Sequence, residues 1–168
     1  MDDHFEFAWK LSGSGWATCQ IADSSAAARY IVSYCTDALA DLLRGVGGLY
    51  GTEPVGRFSF DLEPAEVRWV LRGADARVAV SIYRFPDMST SFDAPDADGT
   101  LTWSSTLPRS TLTHAVAEAA TAVLREHGED GYKAKWGRHP FPIAELQDLR
   151  QLHLRDAECG LPHDPSVP

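Results

Sequence analysis

Three runs in the middle of the chain alternate apolar and polar residues, and only four to six residues separate each run from the next. Phe58, Phe60 and Leu62 are followed by Val67, Trp69 and Leu71 and then by Val78, Val80 and Ile82, with Glu63-Pro64-Ala65-Glu66 and Gly73-Ala74-Asp75-Ala76 between them. A parallel pair of strands needs a crossover of about a dozen residues or more, so spacers this short admit only antiparallel hairpins. The alternation also assigns faces. With Phe58, Phe60, Trp69, Leu71, Val80 and Ile82 turned to a core, Arg57, Ser59, Asp61, Arg68, Val70, Arg72, Ala79, Ser81 and Tyr83 point the other way.

The same period opens the chain. Phe5, Phe7, Trp9 and Leu11 alternate with Glu6, Ala8 and Lys10, Ser12-Gly13-Ser14-Gly15 supplies a turn, and Ala17, Cys19 and Ile21 mark a returning strand. Asp23 or Ser24 then suits an N-cap. Ala28, Ile31, Cys35, Ala38, Leu39, Leu42 and Val46 recur at helical spacing until Gly45, Gly47 and Gly48, which predicts one long helix over 24–46. Beyond the meander, 86–99 is a loop by composition, and Leu101 and Trp103 seed another strand. Pro108 and Ser110 introduce a second helix with Leu112, Val116, Ala119, Ala120, Val123 and Leu124 on one face, closed by Gly128. Ile143, Leu146, Leu149 and Leu152 mark a short third helix.

The order ββ-α-ββββ-α-α predicts an α+β domain over 1–156, in which an antiparallel sheet is covered on one face by the two longer helices and open on the other. Residues 157–168 contain Pro162, Pro165 and Pro168 and no apolar period, which predicts a flexible C-terminal tail.

Charge narrows the partner. With 15 Lys+Arg against 24 Asp+Glu the net charge is −9, which argues against a nucleic acid, whose backbone is held by clustered cations. No apolar run approaches the roughly 18 residues of a membrane span, and Met1-Asp2-Asp3-His4 lacks the character of a signal peptide. The expectation is a cytoplasmic protein with no membrane association. Arginine outnumbers lysine 12 to 3 in a chain rich in Ala, Gly and Asp, the bias of a high-GC bacterial genome.

Catalytic and metal chemistry find little support. Cys19, Cys35 and Cys159 are odd in number and far apart, unlike a disulfide framework or a zinc site, and are expected as structural thiols. Asp93-Ala94-Pro95-Asp96-Ala97-Asp98-Gly99 resembles part of a calcium loop, but its first and twelfth ligand positions fall on Ala94 and Ser105, so a turn is expected there and no metal. His114 and Glu118 lie at i, i+4 on the second helix and suit a surface pair better than an acid/base couple. Gly45-Val46-Gly47-Gly48 ends a helix, whereas phosphate loops begin one, and no cofactor is expected.

Two surfaces are candidates for binding. The outward sheet face carries Arg57, Arg68, Arg72 and Tyr83, types enriched at interface cores, and no lysine. A second cluster interleaves Tyr132 and Trp136 with Lys135, Arg138 and His139 in a stretch between two helices, where cations beside aromatics hold anions and aromatics alone plug a core. The expected function is a protein-interaction module, of the immunity, chaperone-like or adaptor kind, binding another protein through the open sheet face. The alternative is an enzyme or small-molecule binder with an aromatic-lined pocket between sheet and helices, served by His114 or His139.

Overall fold

The computed structural model describes residues 4–156. Strands β1 (Phe5–Leu11), β2 (Trp16–Asp23) and β3 (Ala27–Ser33) precede helix α1 (Ala38–Gly47); β4 (Val55–Asp61), β5 (Glu66–Ala74) and β6 (Arg77–Phe85) form the meander. A single turn, α2 (Met88–Ser91), lies in the connection to β7 (Thr100–Pro108), and helices α3 (Arg109–Trp136) and α4 (Ile143–Leu154) follow. The strands make two antiparallel sheets, β1-β2-β3 and β4-β5-β6-β7. The α+β class, with antiparallel sheets and helices packed on them, is the one the alternation predicts.

The inner faces of the two sheets pack together. Along β1, Phe5 meets Trp103 of β7, Phe7 meets Trp69 of β5, and Trp9 meets Phe60 of β4, at ring-centroid distances of 6.3, 6.2 and 5.4 Å. Each step along β1 therefore moves across the other sheet, so the strands of the two layers cross steeply. β3 traces the same diagonal: Trp103 Nε1 donates to the Ala26 carbonyl, the Tyr30 and Thr102 hydroxyls share a hydrogen bond, and Ser33 donates to Glu63 just beyond β4. Offset and edge-on aromatic pairs of this kind add about 0.5–1.5 kcal/mol each to the burial of their area.

The predicted helix over 24–46 is corrected: its first part is the strand β3, and α1 begins only at Ala38. The cause is local. Asp23 Oδ1 accepts from the Ser25 and Ala26 backbone N–H groups, closing an Asx turn between β2 and β3 instead of capping a helix. The opening hairpin thereby becomes a sheet of its own. Gly45, expected to stop the helix, sits inside α1 because Phe58 of β4 lies against it, and a Cβ there would overlap the ring.

Helix α3 packs along β1, while α1 packs on β4 and α4. Gly128 interrupts α3 at φ +67, ψ 174, a left-handed backbone that glycine adopts without strain, so the helix breaks where its apolar stripe ends. Helix resumes as far as Trp136, although the sequence predicts a loop from 131. The expected C-terminal tail lies outside the described residues.

Candidate interaction surface

Register places the outward residues of β4–β7 in rows: Ser59, Arg68, Tyr83 and Leu101 in one, Arg57, Val70, Ser81 and Ser104 in the next, Val55, Arg72, Ala79 and Thr106 in the third. Arg57, Arg68, Arg72 and Tyr83 thus share the face that the alternation assigns to them. Part of that face is covered. Residues 86–98 return across it as a strap, and Arg68 beneath is only 6% exposed.

Arg68 has five N–H donors, and all are engaged within the chain. Nε donates to Glu66 Oε2 at 3.1 Å, Nη1 to the Ala94 carbonyl at 2.7 Å and Asp96 Oδ1 at 3.1 Å, and Nη2 to Glu66 Oε1 at 3.2 Å and the Ser91 carbonyl at 2.8 Å. Its guanidinium lies 4.4 Å over the Phe85 ring. Burial alone would lower the Arg68 pKa, but the hydrogen bonds to Glu66 and Asp96 outweigh it and hold the group above its ordinary value. Glu66, also buried, accepts further from Ser59 Oγ at 2.5 Å and Ser91 Oγ at 2.6 Å. Arg57 grips Asp96 from the exposed side with Nε and Nη2 at 3.0 and 2.8 Å. The Arg57 hydrogen bonds, seconded by Arg68, hold the Asp96 carboxyl below the usual carboxylate range against the opposing effect of burial. Arg68 is therefore the fastening of the strap, and it has no donor left for a partner.

Val70 in the next row is also buried, but other positions of the face are accessible. Arg72 is exposed and Tyr83 half-buried. Directly opposite Tyr83 stands Leu101, 51% exposed, and the strap holds Phe92 outward at 73%. Sequence reasoning misses both. Leu101 and Trp103 have the same parity and should face the core together, but the register shifts between Ile82 and Tyr83: Trp103 pairs with Ile82, Leu101 with Tyr83, and Thr102 is the extra residue of a bulge. That shift turns Leu101 out. Phe92 sits in a loop with no period to betray it. Between the edge of β4 and the strap, an open trough of about 630 Å³ is bounded by Phe92, Pro95 and Arg57.

The second cluster divides. Tyr132 and Trp136 are fully buried on the last turns of α3, with Phe141 edge-on to Tyr132 at 5.3 Å, and burial pushes the Tyr132 hydroxyl pKa up. They close the core. Lys135 and Arg138 remain exposed, Arg138 lying 5.5 Å over Tyr34, while His139 Nδ1 is 3.8 Å from Asp37 Oδ2. The cluster's own aromatics, Tyr132 and Trp136, thus do not share a surface with its cations.

Interlocked aromatic side chains fill the space between the sheets. A concavity of about 830 Å³ lies instead on the outward side of β1–β3, where His114 and Glu118 of α3 stand among alanines. The His114 ring is 5.4 Å from that of His153 on α4. Cys19 is buried, which pushes its thiol pKa up, and Cys35 is in the turn before α1, donating to Glu63 at 3.3 Å, not on a helical stripe. Among the described residues no three His, Cys, Asp or Glu side chains converge as metal ligands, and no helix is long and apolar enough to cross a membrane.

No protein-family model matches the chain, and no curated protein sequence does. Among solved structures, a chain of the CdiA-CT/CdiI toxin and immunity complex from Enterobacter cloacae is similar over 70% of this chain and 99% of that one, at 10% identity and a TM-score of 0.48.

Proposed function

We propose that this is a protein-interaction module, of the immunity, chaperone-like or adaptor kind in a bacterial cytoplasm, that docks another protein on the outer face of β4–β7. The observation that carries the reading is the exposure of Phe92 and Leu101, 73% and 51%, on and beside the strap that crosses a sheet face with no second sheet packed on it. Large apolar side chains held out by a fastened strap and a bulged strand are ordered contacts, and ordering them beforehand reduces the entropy lost on association. Tyr83 beside Leu101 and Arg72 in the next row but one supply an amphipathic ring and a guanidinium, the side chains most often dominant in interface energetics. No residue has a catalytic role in this reading.

The test is affinity capture from the native host, followed by titration of the captured partner against a variant carrying Arg72→Ala, Tyr83→Ala and Leu101→Ala. The variant should melt near wild type and lose roughly 2 kcal/mol or more of binding for each true hot spot. Full affinity in a folded triple variant ends the proposal.

A further inference from the structure

β4 is an edge of its sheet, and the hydrogen-bond register shows which of its main-chain groups are already paired. The Leu62 N–H donates to the Ala65 carbonyl at the hairpin, and the Gly73 N–H to the Pro54 carbonyl at the far end of the pair, at 2.8 and 3.1 Å. Hydrogen-bonded pairs alternate with open ones in an antiparallel ladder, so Gly56, Phe58 and Phe60 turn their main-chain groups to β5. Val55, Arg57 and Ser59 turn theirs the other way, where no strand, turn or side chain is hydrogen-bonded to them among the described residues. α1 lies against the inward side of the strand, at Gly56 and Phe58. Arg57 is exposed, and Val55 and Ser59 are half-buried. We infer that the docked protein adds an extended segment to this edge, antiparallel to β4; the inference rests on the reading of the β4–β7 face as the docking surface and names the element that docks there.

The edge selects its occupant. N–H and C=O groups that repeat at every second residue, roughly 6.8 Å apart, are complemented by another strand. A helix has its main-chain groups bonded internally, and a lipid or a phosphate supplies no such alternation. The devices that keep edges apart are missing here. β7, at the opposite edge, has a bulge and ends in Pro108, whereas β4 has a continuous register, no proline and no lysine, and its one cation, Arg57, is drawn to Asp96. The trough of about 630 Å³ beside β4 receives alternate side chains of the added strand, with Phe92 and Pro95 as an apolar wall. Asp93 beside them is exposed, while Asp96 is taken up by Arg57 and Arg68. An apolar side chain toward Phe92 and a basic one toward Asp93 complement the trough, and a basic segment is attracted to a chain of net charge −9. A second copy would set two such charges edge to edge, with both Asp93 side chains on one face.

The probe is a fluorescently labelled, end-capped nine-residue peptide with threonine at odd positions and valine and lysine by turns at even ones, titrated into the full chain. Saturable binding is expected. One set of alternate amides in the added strand faces β4 and the other faces solvent. N-methylation of the valines and lysines should therefore weaken binding at least about tenfold, and N-methylation of the threonines less than about twofold. Asp93→Lys should weaken this peptide by about tenfold and favour one with glutamate in place of lysine. Ser59→Pro removes one edge donor and leaves the ladder to β5 intact; compared with Ser59→Ala, which loses the same bond to Glu66, it should bind at least about tenfold more weakly. If Ser59→Pro does not fold, the methylated peptides decide alone. Absence of saturable binding, equal losses from the two methylated sets or indifference to Asp93→Lys overturns the inference. So does a dimer abolished by Ser59→Pro, which would make a second copy the occupant. A partner lost by the Arg72/Tyr83/Leu101 variant but kept by Ser59→Pro overturns the strand and leaves the docking face standing. Peptide binding with the expected methylation pattern, in a chain whose triple variant keeps its partner, sustains the strand and ends the reading of the face.

Discussion

Arg68 and Trp69 are neighbours on β5 and both are buried, yet the two sides of the strand bury them by different physics. Trp69 is enclosed by Phe7, Phe58 and Phe60, with ring centroids 5.4 to 6.2 Å away. That burial is non-directional and scales with area, so it tolerates changes that conserve volume. Arg68 is enclosed by a strap that reaches its end of the sheet only because every donor finds an acceptor. Burial of a charge is stable only when it is paired and fully hydrogen-bonded, so this side tolerates little. A strand with one apolar side and one polar side need not have one side in water.

The largest effect should come from the apolar side. Trp69→Ala removes the ring at the centre of the sheet-on-sheet core and should cost roughly 3–5 kcal/mol in denaturant unfolding. A loss under about 1 kcal/mol would mean that the two sheets are not held by this contact. On the other side, Arg68→Met should cost roughly 3 kcal/mol, since it leaves Glu66 buried without its partner, and Glu66→Gln/Arg68→Met should cost less than the two single changes added. Additive losses would show that the pair is not the fastening. Arg68→Lys should fail almost as badly as Arg68→Met, because an ammonium with three donors cannot serve the five acceptor atoms that the guanidinium reaches.

A smaller effect reads the strap through pH. The Asp96 carboxyl has a folded-state pKa below its ordinary value of 3.8, held down first by Arg57, so it binds fewer protons folded than unfolded near that pH. Its contribution is fully present above the unfolded value and is lost as pH falls through the folded one. The melting-temperature gap between wild type and Asp96→Asn should be widest near neutral pH and shrink below about pH 4. A gap independent of pH would place the strap's stability elsewhere. The smallest effect is expected for Arg72→Ala/Tyr83→Ala, within about 0.5 kcal/mol of wild type, because Arg72 is exposed, Tyr83 is only half-buried, and among the described residues neither side chain has a hydrogen bond or ion pair. A larger loss would bring these residues into the fastened part of the face.

What the sequence makes legible follows the same division. Strict alternation places the inner face of the meander, down to the burial of Trp69, Phe60 and Ile82, because a period of two has only one buried side. It equally calls the other side open, since hydrophobic pattern records what avoids water and says nothing of a polar cover built from distant backbone carbonyls. β3 escapes for another reason. Ala28, Ile31 and Cys35 fit a helical stripe, but the buried residues are Tyr30 and Val32, and Ile31 points out. The run Tyr30-Ile31-Val32, aromatic and β-branched, is the signal that favours a strand. Asp23 cannot decide, since one carboxylate accepting two backbone N–H groups serves a helix cap and an Asx turn alike. Of the site, Arg57, Arg72 and Tyr83 are placed on their face by alternation, whereas Leu101 needs a bulge, Phe92 a loop conformation, and neither leaves a periodic trace.

The manner in which Arg68 holds the strap has an evolutionary consequence. Two of its donors go to the carbonyl oxygens of Ser91 and Ala94, which bracket Phe92 and Asp93, and main-chain acceptors are the same whatever side chains lie between them. Residues 92 and 93, both exposed, can therefore change without loosening the anchorage. Selection for a new partner could rewrite the displayed tip one substitution at a time while the scaffold below keeps its stability. A panel of Phe92 variants should accordingly differ in what they bind and scarcely in how they melt.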